Sequence, residues 1–292
     1  MSQAIRRRPA RSPQWRQIAD NWVLTPAKPK AVIHFLGGAF FAAAPQVAYR
    51  RVLEQLAHHG YVIIATPFLN STFDHYQIAR DVYRAFRAVR QEIFLDYFPV
   101  VGMGHSMGCK IHLLMNCMYG EKEAQTRSGN IFLAYNNYSA NRSIPFFKEI
   151  SKNLRELGQG LSQGLGEDLS KNLIERNLTD VEFTPSPCEM ESLIAAKYSI
   201  ERNLLIKFVN DDIDEIPTLS RLLDFKFPNS TTVKFLNGTH LTSMGIDVNW
   251  QAGDSFSPLD ALAQWFKQEV HKDNEQLERV LLQWLKQNLP SV

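Results

Sequence analysis

Six short, unbroken apolar runs are the feature that most constrains this chain: residues 30–38 ("KAVIHFLGG"), 61–68 ("YVIIATPF"), 98–104 ("FPVVGMG"), 130–137 ("NIFLAYNN"), 203–210 ("NLLIKFVN") and 231–237 ("TTVKFLN"). Runs that do not alternate with polar residues must be covered on both faces, as parallel strands between two helical layers are. The intervening segments have helical spacing. Val52, Leu53, Leu56 and Ala57 share one face before Gly60, and Ile78, Val82, Phe86 and Val89 share another behind Asp74, a candidate cap. A third helix is expected from Ser106 to Gly120, and residues 21–24 ("NWVL") form an expected antiparallel edge strand. Near the end, two helices are expected behind Ser257 and Asp273, with Pro258 at a first helical position. Leu277, Leu281, Trp284 and Leu285 make a stripe suited to covering the sheet. The expected class is α/β, a mostly parallel sheet with helices on both faces.

Residues 138–202 break this alternation, because a crossover between strands needs far fewer residues. Within them Leu154, Leu157, Leu161, Leu165, Leu169 and Leu173 recur three or four apart, while Gly158, Gly160, Gly164 and Gly166 interrupt. Each glycine weakens a helix by up to about 1 kcal/mol relative to alanine. The pattern predicts an inserted helical lid, with its apolar face over about Ser143 to Asn177. Phe40, Phe41, Phe146 and Phe147 are expected to line the mouth beneath it, a wall suited to an apolar acyl chain. No composition shift marks a second domain. The expected organisation is a disordered basic tail over 1–18, carrying Arg6, Arg7, Arg8 and Arg11, and one domain over 19–292.

A formal net charge of +2 argues against nucleic acid as the main partner. No apolar run approaches the roughly 20 residues that span a bilayer, and the start lacks the apolar segment of a secretory signal. Cys109, Cys117 and Cys188 are odd in number and match no zinc spacing. A soluble protein of a reducing compartment, the cytoplasm, is expected, with no cofactor or metal implied.

Chemistry concentrates at residues 104–108, "GHSMG", which follow an expected strand and open an expected helix. That context makes G-x-S-x-G a nucleophile elbow, a turn so sharp that the positions two before and two after the serine must be small. Ser106 is the candidate nucleophile. It needs a base, and the chain order in such folds is serine, acid, histidine. Seven of the eight histidines fall in strands, helices, helix ends or the elbow itself. His240, in "FLNGTHLTSMG", alone sits in a loop just past a late strand and is the candidate base. The acid is sought in "IKFVNDDIDEIP", among Asp211, Asp212, Asp214 and Glu215. Matching strand end to strand end favours Asp212, while measuring back from Pro217 leaves Asp214 open. Oxyanion donors are expected from the Met107 N–H and, after "HFLGG", from the N–H of Ala39 or Phe40.

With these residues the chain resembles the α/β-hydrolase superfamily across nearly its whole length. "HFLGGAFFAAAPQVAYRRVLE", "GHSMGCK" and "EFTPSPCE" more narrowly resemble an uncharacterised hydrolase-like family of cyanobacteria and chloroplasts. The resemblance implies an α/β-hydrolase fold and a serine hydrolase acting on an ester or thioester, a small-molecule substrate. "FLGG" stands where that superfamily has His-Gly, which keeps a second expectation open: a scaffold that binds a lipid, pigment or protein partner without turnover.

Overall fold

The structure is a computed structural model and describes residues 12–39, 41–69, 72–123, 126–140, 142–143, 182–244 and 258–290. Eight strands make one sheet: β1 (Arg16–Ile18), β2 (Asn21–Leu24), β3 (Ala31–Leu36), β4 (Tyr61–Ala65), β5 (Val100–His105), β6 (Arg127–Leu133), β7 (Asn203–Phe208) and β8 (Thr231–Leu236). Their order is β1-β2-β4-β3-β5-β6-β7-β8. β1 pairs antiparallel with β2, and β2 with β4; β3 to β8 are parallel throughout. The six apolar runs are these parallel strands. β2 is antiparallel as expected but not at the edge, because β1 lies outside it. Residues 16–18 therefore belong to the sheet, although the expected tail extended to 18. Three mostly exposed residues carry no apolar signal that could have announced them.

The described helices are α1 (Pro45–Ala48), α2 (Arg50–His58), α3 (His75–Glu92), α4 (Met107–Glu123), α5 (Pro187–Lys197), α6 (Ile216–Lys226) and α7 (Pro258–Asn288). Alternate strand residues divide between the two faces. Ile33, Phe35, Met103, Leu133 and Ile206 pack with Leu53 and Leu56 of α2 and with Leu277, Leu281, Trp284 and Leu285 of α7. On the opposite side, Phe132 and Leu205 pack with Val82 of α3, Ile111 and Leu114 of α4, Ile194 of α5 and Leu219 of α6. Asp74 caps α3, accepting from the Gln77 N–H at 3.0 Å. α5 opens on a capping box between Ser186 and Glu189.

α7 is one helix where two were expected. Neither glycine nor proline occurs from Leu259 to Asn288, and an aspartate inside a helix costs less than about 0.7 kcal/mol, so Asp273 does not end it. Among the described residues, no helix is long and apolar enough to cross a membrane.

The sheet also sets the place of the site. From β3 the chain passes to β4 on one side, and β5 returns on the other. Such a reversal leaves a crevice at the carboxyl ends of the two strands, where open α/β sheets bind ligands. Gly37 and Gly38 follow β3, and Ser106 follows β5.

Candidate functional site

Ser106 stands between β5 and α4 with φ of 53°, a left-handed conformation that a non-glycine residue adopts only at a cost. Two backbone bonds hold it there. Its N–H donates to the Leu133 carbonyl at 3.0 Å, and its own carbonyl accepts from the Cys109 N–H at 3.0 Å. The flanking glycines are demanded by contact. A Cβ on Gly104 would lie 2.6 Å from Cys109 N, and one on Gly108 would lie 2.2 Å from the Leu36 carbonyl oxygen. α4 begins at Met107, so the positive end of its dipole faces the serine.

The loop after β3 approaches the elbow closely. A Cβ on Gly38 would stand 3.3 Å from Ser106 Cβ and 3.0 Å from His105 Nδ1. The Gly38 N–H is taken by Tyr49 Oη at 2.8 Å, and its carbonyl accepts from Phe41 N–H at 2.9 Å and Ala42 N–H at 2.8 Å. Phe41 packs partly buried against the core on the α2 side. Phe40, Phe146, Phe147 and the expected lid beyond Ser143 lie outside the described residues.

His240 follows β8, and its Nδ1 pairs with Asp211 Oδ2 at 2.8 Å. The acid on the histidine is thus Asp211, where the sequence favoured Asp212 with Asp214 as the alternative. The reason is a turn. Backbone pairing between the β7 and β8 ends continues through Val209 N–H to Leu236 O and Asn210 N–H to Gly238 O; the Asp211 N–H then bonds back to the Phe208 carbonyl at 3.1 Å. This turn directs the first aspartate inward and leaves Asp212 exposed. Asp214 is engaged elsewhere, accepting from Lys207 Nζ at 3.0 Å and from the Ile216 N–H at 3.1 Å. Glu215 accepts from the Asn137 N–H at 2.6 Å.

Burial alone would raise the Asp211 carboxyl, but the hydrogen bond and charge of His240 and the Ile213 N–H outweigh it, and the net direction is down. Asp211 is thereby kept ionised beside the imidazole. Asp214 is raised, chiefly by burial.

Sequence reasoning missed two features here. Tyr49 and His105 connect the loop after β3 to the His240 main chain. Lys110, in the turn of α4 after the elbow, is buried, with Nζ donating to the Pro185 carbonyl at 3.2 Å and lying over the Phe183 ring. "GHSMGCK" and "EFTPSPCE" therefore touch in space. Burial lowers Lys110 to about 8, despite the raising influence of Glu182 and Glu215.

The sheet order and the strand-elbow-helix place this chain in the α/β-hydrolase fold. Solved structures agree. A dienelactone hydrolase from Anabaena variabilis superposes with a TM-score of 0.55 at 12% identity, over 96% of this chain and 100% of its own. An esterase of Pyrococcus furiosus superposes with a TM-score of 0.56 at 12% identity, over 92% of this chain and 86% of its own. The α/β hydrolase GrgF from a Penicillium species gives 0.53 at 9% identity, over 92% and 93%. At such identities the likeness is one of fold. No curated protein matches the sequence. Residues 14–287 match the family described as "Protein of unknown function (DUF1350)", and the chain belongs to it.

Proposed function

We propose that the protein is a serine hydrolase of esters or thioesters, with Ser106, His240 and Asp211 as its triad. Ser106 Oγ attacks the acyl carbonyl carbon and gives its proton to His240 Nε2. Asp211 holds the ring through Nδ1 and stabilises the imidazolium. The oxyanion takes hydrogen bonds from the backbone N–H groups of Met107 and Ala39. The C–O or C–S bond then breaks, and His240 returns the proton to the leaving group. Water, or an acceptor alcohol, attacks the acyl-serine in the same manner and frees the enzyme.

The observation that carries this reading is the pairing of a buried aspartate with a histidine whose own main chain is bonded to the residue before the strained serine. Catalysis needs the buried aspartate on the histidine, and sheet packing does not. The small residues forced at 104 and 108 support it further. The leucine spacing of residues 154–173 and the phenylalanines at 40, 146 and 147 favour an apolar acyl group. The resemblance to the cyanobacterial and chloroplast family and a cytoplasmic setting belong to the same proposal; the three cysteines, all free thiols, favour a reducing compartment.

Turnover of a p-nitrophenyl ester series from acetyl to dodecanoyl tests the function. Hydrolysis rising with chain length and abolished by Ser106→Ala is the expected result. A folded wild type with no turnover of any oxygen ester or acyl thioester would favour the non-catalytic scaffold.

A further inference from the structure

His105 fills the variable position before the nucleophile, yet it is buried and both its ring nitrogens are engaged. Nε2 lies 2.8 Å from the His240 carbonyl oxygen. A carbonyl only accepts, so Nε2 carries the hydrogen and Nδ1 presents a lone pair. Tyr49 Oη, 2.8 Å from Nδ1, must then donate to it and accept from the Gly38 N–H, also at 2.8 Å. Hydrogen bonds thus run from Gly38 N–H through Tyr49 and His105 to the His240 carbonyl. Each donor and acceptor in the chain has one compatible role.

We propose that Tyr49 and His105 form a positioning strut that sets the spacing between the base loop and the oxyanion loop across the nucleophile. This deepens the hydrolase reading and rests on it. His240 is restrained through its ring by Asp211 and through its main chain by His105. At the far end, the strut holds Gly38, whose neighbour Ala39 supplies the proposed oxyanion donor. Both loops are referenced to the residue directly before Ser106, so the base and the donor keep their distance from the attacking oxygen. Burial, with a smaller contribution from the charge of His240, lowers His105 to about 3, so its ring stays neutral and Nδ1 remains an acceptor at working pH. Tyr49 is raised by burial and keeps its proton.

The test compares Tyr49→Phe, His105→Leu and His105→Gln. A misplacement of about 1 Å away from the chemistry can cost about 100-fold in rate. Tyr49→Phe and His105→Leu should each slow fluorophosphonate labelling of Ser106 by about that factor, with kcat falling and KM little changed. His105→Gln, which can still donate to the His240 carbonyl, should recover most of the loss. A double Tyr49→Phe/His105→Leu variant should label no more slowly than the slower single, because the two act as one unit. Should Tyr49→Phe fail to fold, the two His105 variants carry the comparison. Folded variants that label within about threefold of wild type would overturn the strut and leave the hydrolase reading intact. A wild type that never labels would instead remove the hydrolase reading, and the strut is then judged by the NMR signal of the His240 Nδ1 proton. That signal should shift or broaden in His105→Leu; an unchanged signal overturns the strut.

Discussion

His240 Nδ1 lies 2.8 Å from Asp211 Oδ2, and the Asp211 side chain is fully buried. A carboxylate so placed can select the imidazole tautomer with its hydrogen on Nδ1 and leave Nε2 as an acceptor. Asp211→Asn should therefore lower kcat by about 10⁴-fold, as the corresponding change does in a serine protease. Asp212→Asn, at an exposed position, should leave kcat within about twofold, since surface changes away from a site have small effects. Steady-state kinetics on one ester ranks the two. The reverse ranking would move the role to Asp212.

The elbow glycines are predicted to be intolerant. Gly108→Ala drives a methyl to 2.2 Å from the Leu36 carbonyl, and that atom belongs to backbone that cannot step aside. Urea denaturation should show a loss of about 1–3 kcal/mol or failure to fold, the range for overpacked cores. Unchanged stability with full labelling of Ser106 would contradict the close approach of β3 to the elbow.

Acid should destabilise the protein in two stages. His34, His75, His105 and His112 are all lowered, chiefly by burial. Below about pH 6.5 the unfolded chain binds protons that these four refuse in the fold, so stability falls as pH falls. Each can contribute a slope of up to about 1.4 kcal/mol per pH unit. Asp211 is depressed, so its contribution is present above the ordinary aspartate range and is lost as pH falls through its folded value. Asp214 and Glu215 are raised, so their protonation in the fold works in the opposite sense. Urea midpoints between pH 7.5 and 5 should decline steadily, and a flat profile would contradict the buried neutral histidines.

Much of this was legible in the sequence because it depends on local pattern. Continuous apolar runs mark strands covered on two faces, and each of the six lies in the parallel part of the sheet. "GHSMG" identifies a turn whose steric demands are met atom by atom at Gly104 and Gly108. His240 could be singled out by its place after a strand. The acid could not be read to the residue, because its identity depends on the backbone turn from Phe208 to Asp211. Tyr49 looks like any core aromatic in sequence, and His105 like filler in a motif. Their hydrogen bonds exist only once the sheet has brought the loops after β3 and β8 to the end of β5. The merging of two expected helices into α7 was hidden because Asp273 suits a cap and is also tolerated inside a helix.

Thiol accessibility gives a further check on the packing. Cys109 and Cys117 are buried and Cys188 is exposed. Burial raises Cys109 and takes Cys117 up to about 12, so neither offers thiolate. Iodoacetamide should modify Cys188 alone in the native protein, as mass spectrometry would show. Modification of Cys109 without unfolding would contradict the packing of α4 against the sheet.

Ser106 is proposed as an activated nucleophile served by His240 and Asp211. The most direct measurement of that role is covalent labelling by a fluorophosphonate probe, with the modified residue located by peptide mass spectrometry. The predicted result is a single label on Ser106, lost in Ser106→Ala and slowed severely in His240→Ala and Asp211→Asn while all three variants stay folded. A label on another serine, or labelling of Ser106 at the same rate without His240, would contradict it.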